Sequence, residues 1–387
     1  MPPVLLHVFQ SLEVGGQQTR FATMANRLGR SYRHLLISLS GRAEAVALLD
    51  PDLDATLLPV TDQTTSMPRL LRIIARQIAK ADPEVLVTYN WGTIEWAIVN
   101  RIAFRRPHIH LEDGFGPDEA DGQKRRRVLA RRFALSRSTV VVPSSTLVGI
   151  ASAVWRLDAG RVIHIPNGID PARFDDIHTS GSSFFSRTVQ ECVVGSVTAL
   201  RREKNIGRLL HAFAQVAGTA AQPIRLVICG DGPERGALGE LAGRLGIDGR
   251  VDFAGQVPKP EAVMGAFDLF AITSDTEQMP YSVLEAMAAG LPILATDVGD
   301  IAAMVCEENR PFVVPRDDPD RLALALAQLC RDPELRRRVG KANRLRVEER
   351  FRIPPMVEAF RRVLEHAVAA SRRETRSPVG RSRGFRR

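Results

Sequence analysis

Short apolar runs rich in Val, Ile and Leu alternate with stretches of helical periodicity along most of this 387-residue chain, and this alternation constrains the fold more than any other feature. Strands that alternate with helices predict βαβ units and parallel sheets, so the fold class is α/β. The predicted strands are 3–9, 34–39, 84–89, 108–112, 139–143 and 161–166 in the first half, and 192–200, 224–230, 250–255, 268–273 and 292–296 in the second. Helices are predicted near 17–29, 66–80, 92–103, 123–135 and 145–154, and at 318–331, 333–350 and 355–370.

The alternation is interrupted by a stretch that has the composition of a linker. Residues 176–190 are rich in Ser and Thr and show no sustained period. Two Rossmann-like domains on either side imply a cleft between them, and ligands of such sheets bind beyond the carboxyl ends of the strands. The predicted organisation is an N-terminal Rossmann-like domain over 1–175, a linker over 176–190, a second Rossmann-like domain over 191–352, a helix over 353–370 that returns towards the first domain, and a disordered basic tail over 371–387.

The positive charge of the chain is unevenly distributed. Lys and Arg number 53 against 44 Asp and Glu, which gives a net charge of +9. The last 18 residues hold seven arginines and one glutamate, and a second cluster over 124–132 carries six positive charges on a predicted helix. Both clusters fit either a solvated surface or attraction to an anionic membrane. Neither has the interleaved aromatic residues of a base-reading surface, so no nucleic-acid partner is expected.

Localisation is predicted from what the sequence lacks. No stretch approaches the roughly 20 apolar residues that cross a bilayer, and the N-terminus has neither the basic segment nor the small-residue cleavage site of a secretory signal. The four cysteines stand singly at 192, 229, 306 and 330, as reduced core thiols do. We therefore expect a cytoplasmic protein, peripheral on the inner face of the membrane if its basic clusters bind lipid.

Residues 273–300 carry the most informative chemistry. A predicted strand ends at the start of this segment and a helix begins near Pro280, with Glu277 in the polar loop between them and Glu285 within the helix. The first-turn amides of a helix have no internal partners and bind anions. The segment therefore predicts a diphosphate site, where Glu277 reaches an attached sugar and Glu285 the ribose. The other interpretation is two surface glutamates on an ordinary helix.

Glu277 and Glu285, eight residues apart, together with the run EAMAAGLPILAT, look like the signature of the retaining family-4 nucleotide-sugar glycosyltransferases, or glycosyl transferases group 1. The resemblance covers nearly all of residues 4–365. It implies the fold of that family, GT-B, in which two Rossmann-like domains face each other. The further motifs, in the family's order, are VGGQQTR (14–20), IPNGIDPARF (165–174), ALRREKNIGRLLHAF (199–213), CGDGPER (229–235) and VDFAGQV (251–257).

The resemblance also implies a set of donor-binding residues. Arg201 and Lys204 would bind the donor diphosphate, because two cations offset the charge of that leaving group. The family's arginine often stands two positions earlier, where this chain has Ala199, so Lys204 fits the pattern better. Solvated cations and ordinary turn glycines are the alternative interpretation. The other implied contacts are Glu277 on the donor sugar, Gly15 and Gly16 over the phosphates, Gly230, Gly232 and Val257 beside the base, and Met279, Pro280, Tyr281, Ser282 and Glu285 around the helix start.

On the acceptor side the sequence departs from the family's pattern. Many relatives end the fourth or fifth strand of the first domain with a histidine that contacts the donor sugar, whereas alignment on the following glycine places Asp113 at this position. His110 and Glu112 precede it on one face of the strand. With Glu277, these three are the candidate catalytic residues, because a carboxylate in a cleft binds sugar hydroxyls or takes the acceptor proton. The alternative is a capping or salt-bridged acid that pairs with nearby arginines.

These features predict a retaining glycosyltransferase that moves a sugar from a nucleoside diphosphate to a glycan or lipid-linked acceptor, in the synthesis of cell-surface polysaccharide or glycolipid. No cofactor or metal is expected, because cationic side chains and helix amides would stabilise the leaving diphosphate. Residues 50–54, DPDLD, fit a solvent-facing turn better than a metal motif. Two alternatives stay open: a sugar-nucleotide epimerase or hydrolase, and a catalytically inactive sugar-nucleotide-binding protein. UDP, GDP and ADP sugars are equally compatible with these motifs.

Overall fold

The computed structural model describes residues 1–59, 66–116, 119, 122–175, 191–218, 222–257 and 259–376. It divides into two compact units, one formed by 1–115, 121–166 and 354–387 and the other by 116–120 and 167–353. The predicted linker over 176–190 and residues 377–387 of the predicted tail lie outside the described residues.

The first unit is built on a seven-stranded sheet in which paired strands run parallel. The strands lie in the order β3-β2-β1-β4-β5-β6-β7. They are β1 Val4–Phe9, β2 Arg33–Ser38, β3 Ala55–Leu57, β4 Val85–Tyr89, β5 His108–Leu111, β6 Thr139–Val142 and β7 Val162–His164. The helices between them are α1 Gly16–Leu28, α2 Met67–Ala81, α3 Ile94–Val99, α4 Arg125–Leu135 and α5 Ser145–Ala153.

The second unit repeats this architecture with six parallel strands in the order β10-β9-β8-β11-β12-β13. The strands are β8 Cys192–Val197, β9 Ile224–Cys229, β10 Val251–Gly255, β11 Leu269–Ile272, β12 Ile293–Thr296 and β13 Val313–Val314. The helices are α6 Ile206–Ala217, α7 Arg235–Arg244, α8 Glu261–Met264, α9 Tyr281–Ala288, α10 Ile301–Met304, α11 Pro319–Arg331 and α12 Pro333–Arg350. The last helix, α13 Ile353–Arg376, belongs from residue 354 onwards to the first unit.

The central strand β8 of the second sheet is covered on both faces, and strands buried in this way are rich in apolar residues on both faces. Val194 of β8 packs in one hydrophobic cluster with residues of α6 and α11, and its neighbour Val193 packs in another with residues of α9. β8 pairs with β9 on one side and with β11 on the other, so the direction of winding reverses there. Such a switch point is where the loops at the carboxyl ends of the strands leave room for a ligand.

The predicted α/β class and the eleven predicted strands are confirmed, but two strands were missed. β3 and β13 have only three and two residues, too few for a periodic pattern, and β3 is largely exposed. The predicted helix over 92–103 is in fact three pieces: a 3-10 turn Trp91–Thr93, α3, and a π-helical turn Asn100–Phe104. The four cysteines are buried and free.

The disordered tail was predicted to begin at residue 371, which is too early. α13 extends to Arg376, so residues 371–376 are helical. The physical reason is that SRRETR contains no Gly or Pro and consists mainly of residues that a helix accommodates at low cost. Across the described part of the chain, no helix is both long and apolar enough to cross a membrane.

Candidate active site

The centre of the candidate site is an ion pair between the loops that follow the neighbouring strands β8 and β11. Lys204 Nζ lies 2.5 Å from Glu277 Oε1, and the Ser274 hydroxyl donates to the same oxygen at 2.7 Å. The Glu277 side chain is 9% exposed and the Lys204 side chain 25%. Charge-assisted hydrogen bonds that are partly withdrawn from water are stronger than neutral ones. Lys204 was predicted to bind the diphosphate and Glu277 the sugar, and the structure joins the two side chains in one ion pair.

A second set of contacts ties the same two loops together. Asp275 accepts hydrogen bonds from Asn205 Nδ2 at 3.1 Å and from Arg208 at 2.7 Å, and Arg208 also donates to the Thr273 carbonyl at 2.7 Å. Asn205 has a left-handed φ of 42° and caps α6 through its side chain. Because Asn205 follows Lys204 directly, these bonds fix the main chain from which Lys204 extends. The motif ALRREKNIGRLLHAF contains Asn205 and Arg208, but sequence spacing assigned them no role.

The main chain at Glu277 packs against Gly299, a residue that the sequence analysis missed. A Cβ atom at position 299 would lie 2.4 Å from the Glu277 carbonyl oxygen and 2.7 Å from that of Gln278, and Gly299 has a φ of +60°. Asp300 N donates to the Gln278 carbonyl at 2.9 Å, which fixes the approach. Glycine alone accepts both the positive φ and the close contact. A glycine in a short loop after a strand is too common a signal to have revealed this role.

We expect Gly299→Ala to lower both stability and activity, whereas Gly246→Ala lowers stability slightly. Gly246 has a similar φ of +68° but open space around the added Cβ, so it reports the backbone strain alone, about 1–2 kcal/mol. Gly299→Ala adds the displacement of the Glu277 carbonyl and should cost more. Chemical denaturation and initial-rate assays of both variants check this. Equal losses of stability and activity in the two variants would contradict a role for Gly299 in placing Glu277.

Helix α9 starts directly after this loop. Pro280 is the residue before the helix, and its side chain forms no capping hydrogen bond. The next two residues, Tyr281 and Ser282, are half-buried. The positive end of the helix dipole and the first-turn amides attract an anion. The predicted helix is therefore present, and α9 begins within four residues of Glu277. Its binding of a diphosphate stays a prediction.

The turn into α9 is held by Asn167, another residue that sequence reasoning did not single out. The side-chain Nδ2 of Asn167 donates to the Met279 carbonyl at 2.8 Å, and the backbone amide of Asn167 donates to the Met279 sulfur at 3.1 Å. Both side chains are buried, at 5% and 6% exposed. Met279 thus anchors the turn from inside the protein, and its predicted role in donor binding stays a prediction. The IPNG motif contained Asn167, but only the structure shows which backbone it bonds.

Glu285 is half-buried in α9, and its surroundings change its acidity. Burial raises the pKa of Glu285 to about 7; Arg173 opposes this rise, and the Glu261 carboxylate adds to it. Arg173 and Glu261 are themselves paired, with 2.7 Å between the guanidinium and the carboxylate. A carboxyl group with a pKa near 7 is partly protonated at neutral pH. It therefore both accepts and donates hydrogen bonds, as a ribose diol requires.

We expect Glu285→Gln to stabilise the protein more at pH 8 than at pH 5. The folded pKa lies above the unfolded value of about 4.3, so the contribution of Glu285 is complete below pH 4.3 and is lost as the pH rises through about 7. Glutamine does not titrate, so the difference in free energy of unfolding between variant and parent should grow by about 1–3 kcal/mol between the two pH values. Urea denaturation at each pH measures it, with Glu240→Gln, exposed on α7, as control. A pH-independent difference would disprove the raised pKa.

The remaining predicted donor residues of this unit have mixed surroundings. Arg201 is exposed, and no ion pair involves it in the described ranges, so it is available to an anion. Val257 is half-buried against the cluster that contains α9. Gly230 and Gly232 have φ of +144° and +159°, and a Cβ on either would collide with the carbonyl oxygen of Thr198 or Leu200. Both glycines are therefore required by the packing of the protein's own backbone, which the predicted approach to a base does not explain.

In the first unit, Asp113 lies at the carboxyl end of β5 in a dense hydrogen-bonding environment. Arg20 contacts its carboxylate at 2.6 Å and Gln17 donates to it at 2.6 Å, while its amide donates to Asn90 Oδ1 at 2.7 Å. Its side chain is 17% exposed, whereas that of Arg20 is 2% exposed. The salt-bridged acid that the sequence analysis left as an alternative is thus present. Gly15 and Gly16 form the entry to α1, the helix that carries Gln17 and Arg20.

His110 and Glu112 are placed differently from the sequence expectation of a cleft. Both side chains are 0% exposed, with His110 Nε2 3.6 Å from Glu112 Oε2. Arg131 Nε lies 3.3 Å from the same oxygen and is also 0% exposed. The interpretation as substrate-contacting residues is therefore corrected, because a fully buried pair does not reach a substrate in this structure. The sequence pattern placed them on the right face of β5 but did not reveal that helix α4 covers that face.

The arginine opposite Glu112 lies among aromatic rings. The Arg131 guanidinium carbon is 5.0, 5.3 and 5.1 Å from the ring centroids of Trp91, Phe115 and Trp155. Cation–π contacts with several rings strengthen when they are removed from water. One of the six charges of the predicted basic cluster is thus part of the core.

Among the described residues, no group of three or more His, Cys, Asp or Glu side chains is arranged to hold a metal ion. The aspartates at 50, 52 and 54 are exposed, and the latter two face Arg30 and Arg33 at 3.5 and 3.7 Å. The predicted solvent-facing turn is confirmed.

Two Rossmann-like α/β units, one with a cation, a carboxylate and a helix N-terminus at its switch point, define the GT-B class. Residues 184–346 match the model of glycosyl transferases group 1, and residues 15–168 match that of the glycosyl transferase 4-like domain. The chain belongs to this family. Over 324 residues it is 32% identical to a D-inositol 3-phosphate glycosyltransferase from Corynebacterium jeikeium, and the aligned region covers 77% of this chain and 75% of the relative.

Other relatives match over shorter regions. An N-acetyl-alpha-D-glucosaminyl L-malate synthase from Bacillus anthracis is 29% identical over 170 residues, 44% of either chain, and several curated relatives are matched over less than two thirds of their length. Among solved structures, sucrose-phosphate synthase from Thermosynechococcus elongatus has a TM-score of 0.80 at 21% identity, covering 96% of this chain and 100% of that one. Anabaena HepE in complex with UDP-glucose has a TM-score of 0.78 at 19% identity, covering 94% and 100%. These likenesses support the GT-B fold.

Proposed function

We propose that this chain is a retaining, metal-independent glycosyltransferase that uses a nucleoside-diphosphate sugar. The observation that carries the proposal is the Lys204–Glu277 pair at 2.5 Å, close in the chain to the N-terminus of α9. A fixed cation and helix amides suit a diphosphate, and a carboxylate beside them suits the hydroxyls of an attached sugar. A relative of the same fold that was crystallised with UDP-glucose supports this type of donor.

In this proposal the protein lowers the barrier mainly by stabilising the leaving group. The bond between the anomeric carbon and the diphosphate oxygen breaks, and negative charge develops on the diphosphate. Lys204 and the first-turn amides of α9 are already held in place, so they stabilise that charge without reorganising. Glu277 orients the sugar through its hydroxyls, and Arg201 adds a second positive charge from an exposed position. Asp113 in the first unit is the acceptor-side candidate.

We propose a glycan or lipid-linked acceptor, in the synthesis of cell-surface polysaccharide or glycolipid. The family relatives support glycosyl transfer in the synthesis of glycoconjugates. Attraction to an anionic membrane through 124–132 and 371–387 is part of this proposal. Lys124, Arg125 and Arg126 are exposed, while Arg131 is buried and is removed from the set.

The test of the proposed function is a thermal-shift screen against UDP-, GDP-, ADP- and dTDP-sugars in the presence of EDTA. Ligand that binds the native state raises apparent stability by mass action. We expect one donor to raise the melting temperature of the parent protein and to have no effect on Lys204→Ala. The donor identified in this way is then incubated with candidate acceptors, and the anomeric configuration of the product is determined by NMR.

Each outcome of this screen separates the proposal from its alternatives. Transfer with retained configuration supports it. Consumption of the donor without acceptor would instead indicate an epimerase or hydrolase, and donor binding without turnover on any acceptor would indicate an inactive binding protein. No response to any donor would overturn the nucleotide-sugar site itself.

A further inference from the structure

A cavity of about 590 Å³ lies in the first unit, at the amino ends of β5 and β6. The loops at the carboxyl ends, which carry Asp113, leave the opposite edge of this sheet. The cavity is therefore distinct from the candidate active site. Its volume falls within the range of about 300–1,000 Å³ that small-molecule sites occupy.

The lining of this cavity is strongly basic. The described residues around it include no carboxylate, and they include the five arginines Arg101, Arg105, Arg106, Arg137 and Arg161. Of these, only Arg106 has an acidic partner among the described side chains, the exposed Asp82. His108 also lines the cavity but contributes no charge, because burial lowers the pKa of its imidazole to about 3 and its ring nitrogens bond to Thr88 and Ser138.

The arginines are concentrated by the backbone of one short segment. The π-helical turn Asn100–Phe104 ends at Arg105, which has a left-handed φ of 59° and whose amide donates to the Asn100 carbonyl at 2.6 Å. Arg101 donates to Ser136 at 2.6 Å. Burial and the nearby charge of Arg137 both lower the pKa of Arg101, which shows that like charges repel here without a compensating anion. This arrangement favours an anionic ligand.

Beside the cavity, helix α4 exposes large apolar side chains. Leu129 is 62% exposed and Phe133 46% exposed, one turn apart, and the Arg101 guanidinium lies 4.7 Å from the centroid of the Phe133 ring. Arg126, also exposed, precedes Leu129 by three residues on the same face. Ile102, which follows Arg101, is 63% exposed. A soluble ligand would not require exposed Leu, Phe and Ile at the rim of its site.

We propose that this surface docks the protein on an anionic membrane, with the phosphate of a lipid headgroup in the arginine-lined cavity and Leu129, Phe133 and Ile102 in the outer acyl region. We call it the headgroup surface, defined by these three apolar residues and the five arginines. Charge complementarity selects the anionic lipid, and the adjoining apolar rim selects a bilayer over a free phosphate. The inference rests on the membrane attraction in the proposed function and deepens it, since it assigns the contact to a cavity and an apolar rim that do not belong to the donor site.

The test measures binding of the full chain to vesicles by co-sedimentation, independently of donor or activity. Vesicles of phosphatidylcholine are compared with vesicles that also contain about 30% phosphatidylglycerol, which gives the surface a negative potential. Arg105→Glu with Arg137→Glu reverses two charges of the cavity. The control, Arg321→Glu with Arg338→Glu, makes the same change in net charge at exposed arginines of α11 and α12. Leu129→Ser with Phe133→Ser removes the apolar contact without changing charge.

We expect binding to the anionic vesicles only, with the fraction bound reduced at least tenfold by the cavity pair and severalfold by the Leu129 and Phe133 pair, and little changed by the control. Equal losses of vesicle binding in the cavity pair and in the control would show that binding depends on net charge alone, and would overturn the site. Full vesicle binding by the Leu129 and Phe133 pair would overturn the docking geometry. Stabilisation by inorganic phosphate that requires Arg105 and Arg137, without vesicle binding, would show a free phosphate site and overturn the lipid assignment. Circular dichroism of each variant confirms folding.

Discussion

Replacing Lys204 by alanine is expected to lower kcat/KM for sugar transfer on the order of 10²–10³-fold, the loss that follows removal of one group that stabilises charge in a transition state. The Lys204 ammonium is fixed at 2.5 Å from Glu277, four residues before the start of α9, where we propose that the diphosphate binds. The variant also leaves the Glu277 carboxylate, which is 9% exposed, without its counter-charge. An uncompensated carboxylate beside the donor phosphates repels them.

The neighbouring residue Arg202 provides the matched control. It lies in the same 3-10 turn, is exposed, and carries the same charge, so Arg202→Ala should keep activity within a few fold of the parent. Adding Glu277→Gln to Lys204→Ala should recover donor binding relative to the single variant, because the repelling charge is gone, while turnover stays low. Isothermal titration with the donor and initial rates measure the two effects separately. Lys204→Ala with activity equal to Arg202→Ala would contradict the proposed mechanism.

The fold was largely predictable because its hydrophobic pattern is strong and local. Buried strands such as Cys192–Val197 and Ile224–Cys229 read as mainly apolar runs that the sequence shows directly. The features that were missed are too short to leave a recognisable hydrophobic pattern in the sequence. β13 has two residues, and the π-helical turn Asn100–Phe104 differs from an α-helix by one residue per turn, which no periodicity over so short a segment reveals.

The candidate site was predictable where a residue acts through its chemical type and position in a motif. Lys204 and Glu277 were found in this way, and the structure places their charged groups in contact. Gly299, Asn167 and Asp275 were not found, because their roles depend on which backbone atoms they meet across the fold. Sequence spacing carries no record of such tertiary contacts.

The burial of Glu112 gives the second large expected effect, on stability. Glu112→Ala removes the carboxylate 3.3 Å from Arg131 Nε, where both side chains are 0% exposed, and should lower the free energy of unfolding by about 3–5 kcal/mol. The pair formed by Glu334 and Arg337, whose side chains are 75% and 70% exposed, provides the control. Glu334→Ala should cost less than about 1 kcal/mol, because exposed ion pairs contribute little. Urea denaturation of the two variants compares them directly.

Stability loss alone does not separate a structural acid from a catalytic one, so the decisive variant replaces both partners. Glu112→Leu with Arg131→Met exchanges the ion pair for apolar side chains among Trp91, Phe115 and Trp155. Replacing a whole buried pair avoids an uncompensated charge and is often neutral for stability. We therefore expect the double variant to recover most of the stability and to retain transfer activity within a few fold of the parent. A double variant that is folded but inactive would return Glu112 to the list of catalytic candidates, because a residue that only supports the core is replaceable by another that packs as well.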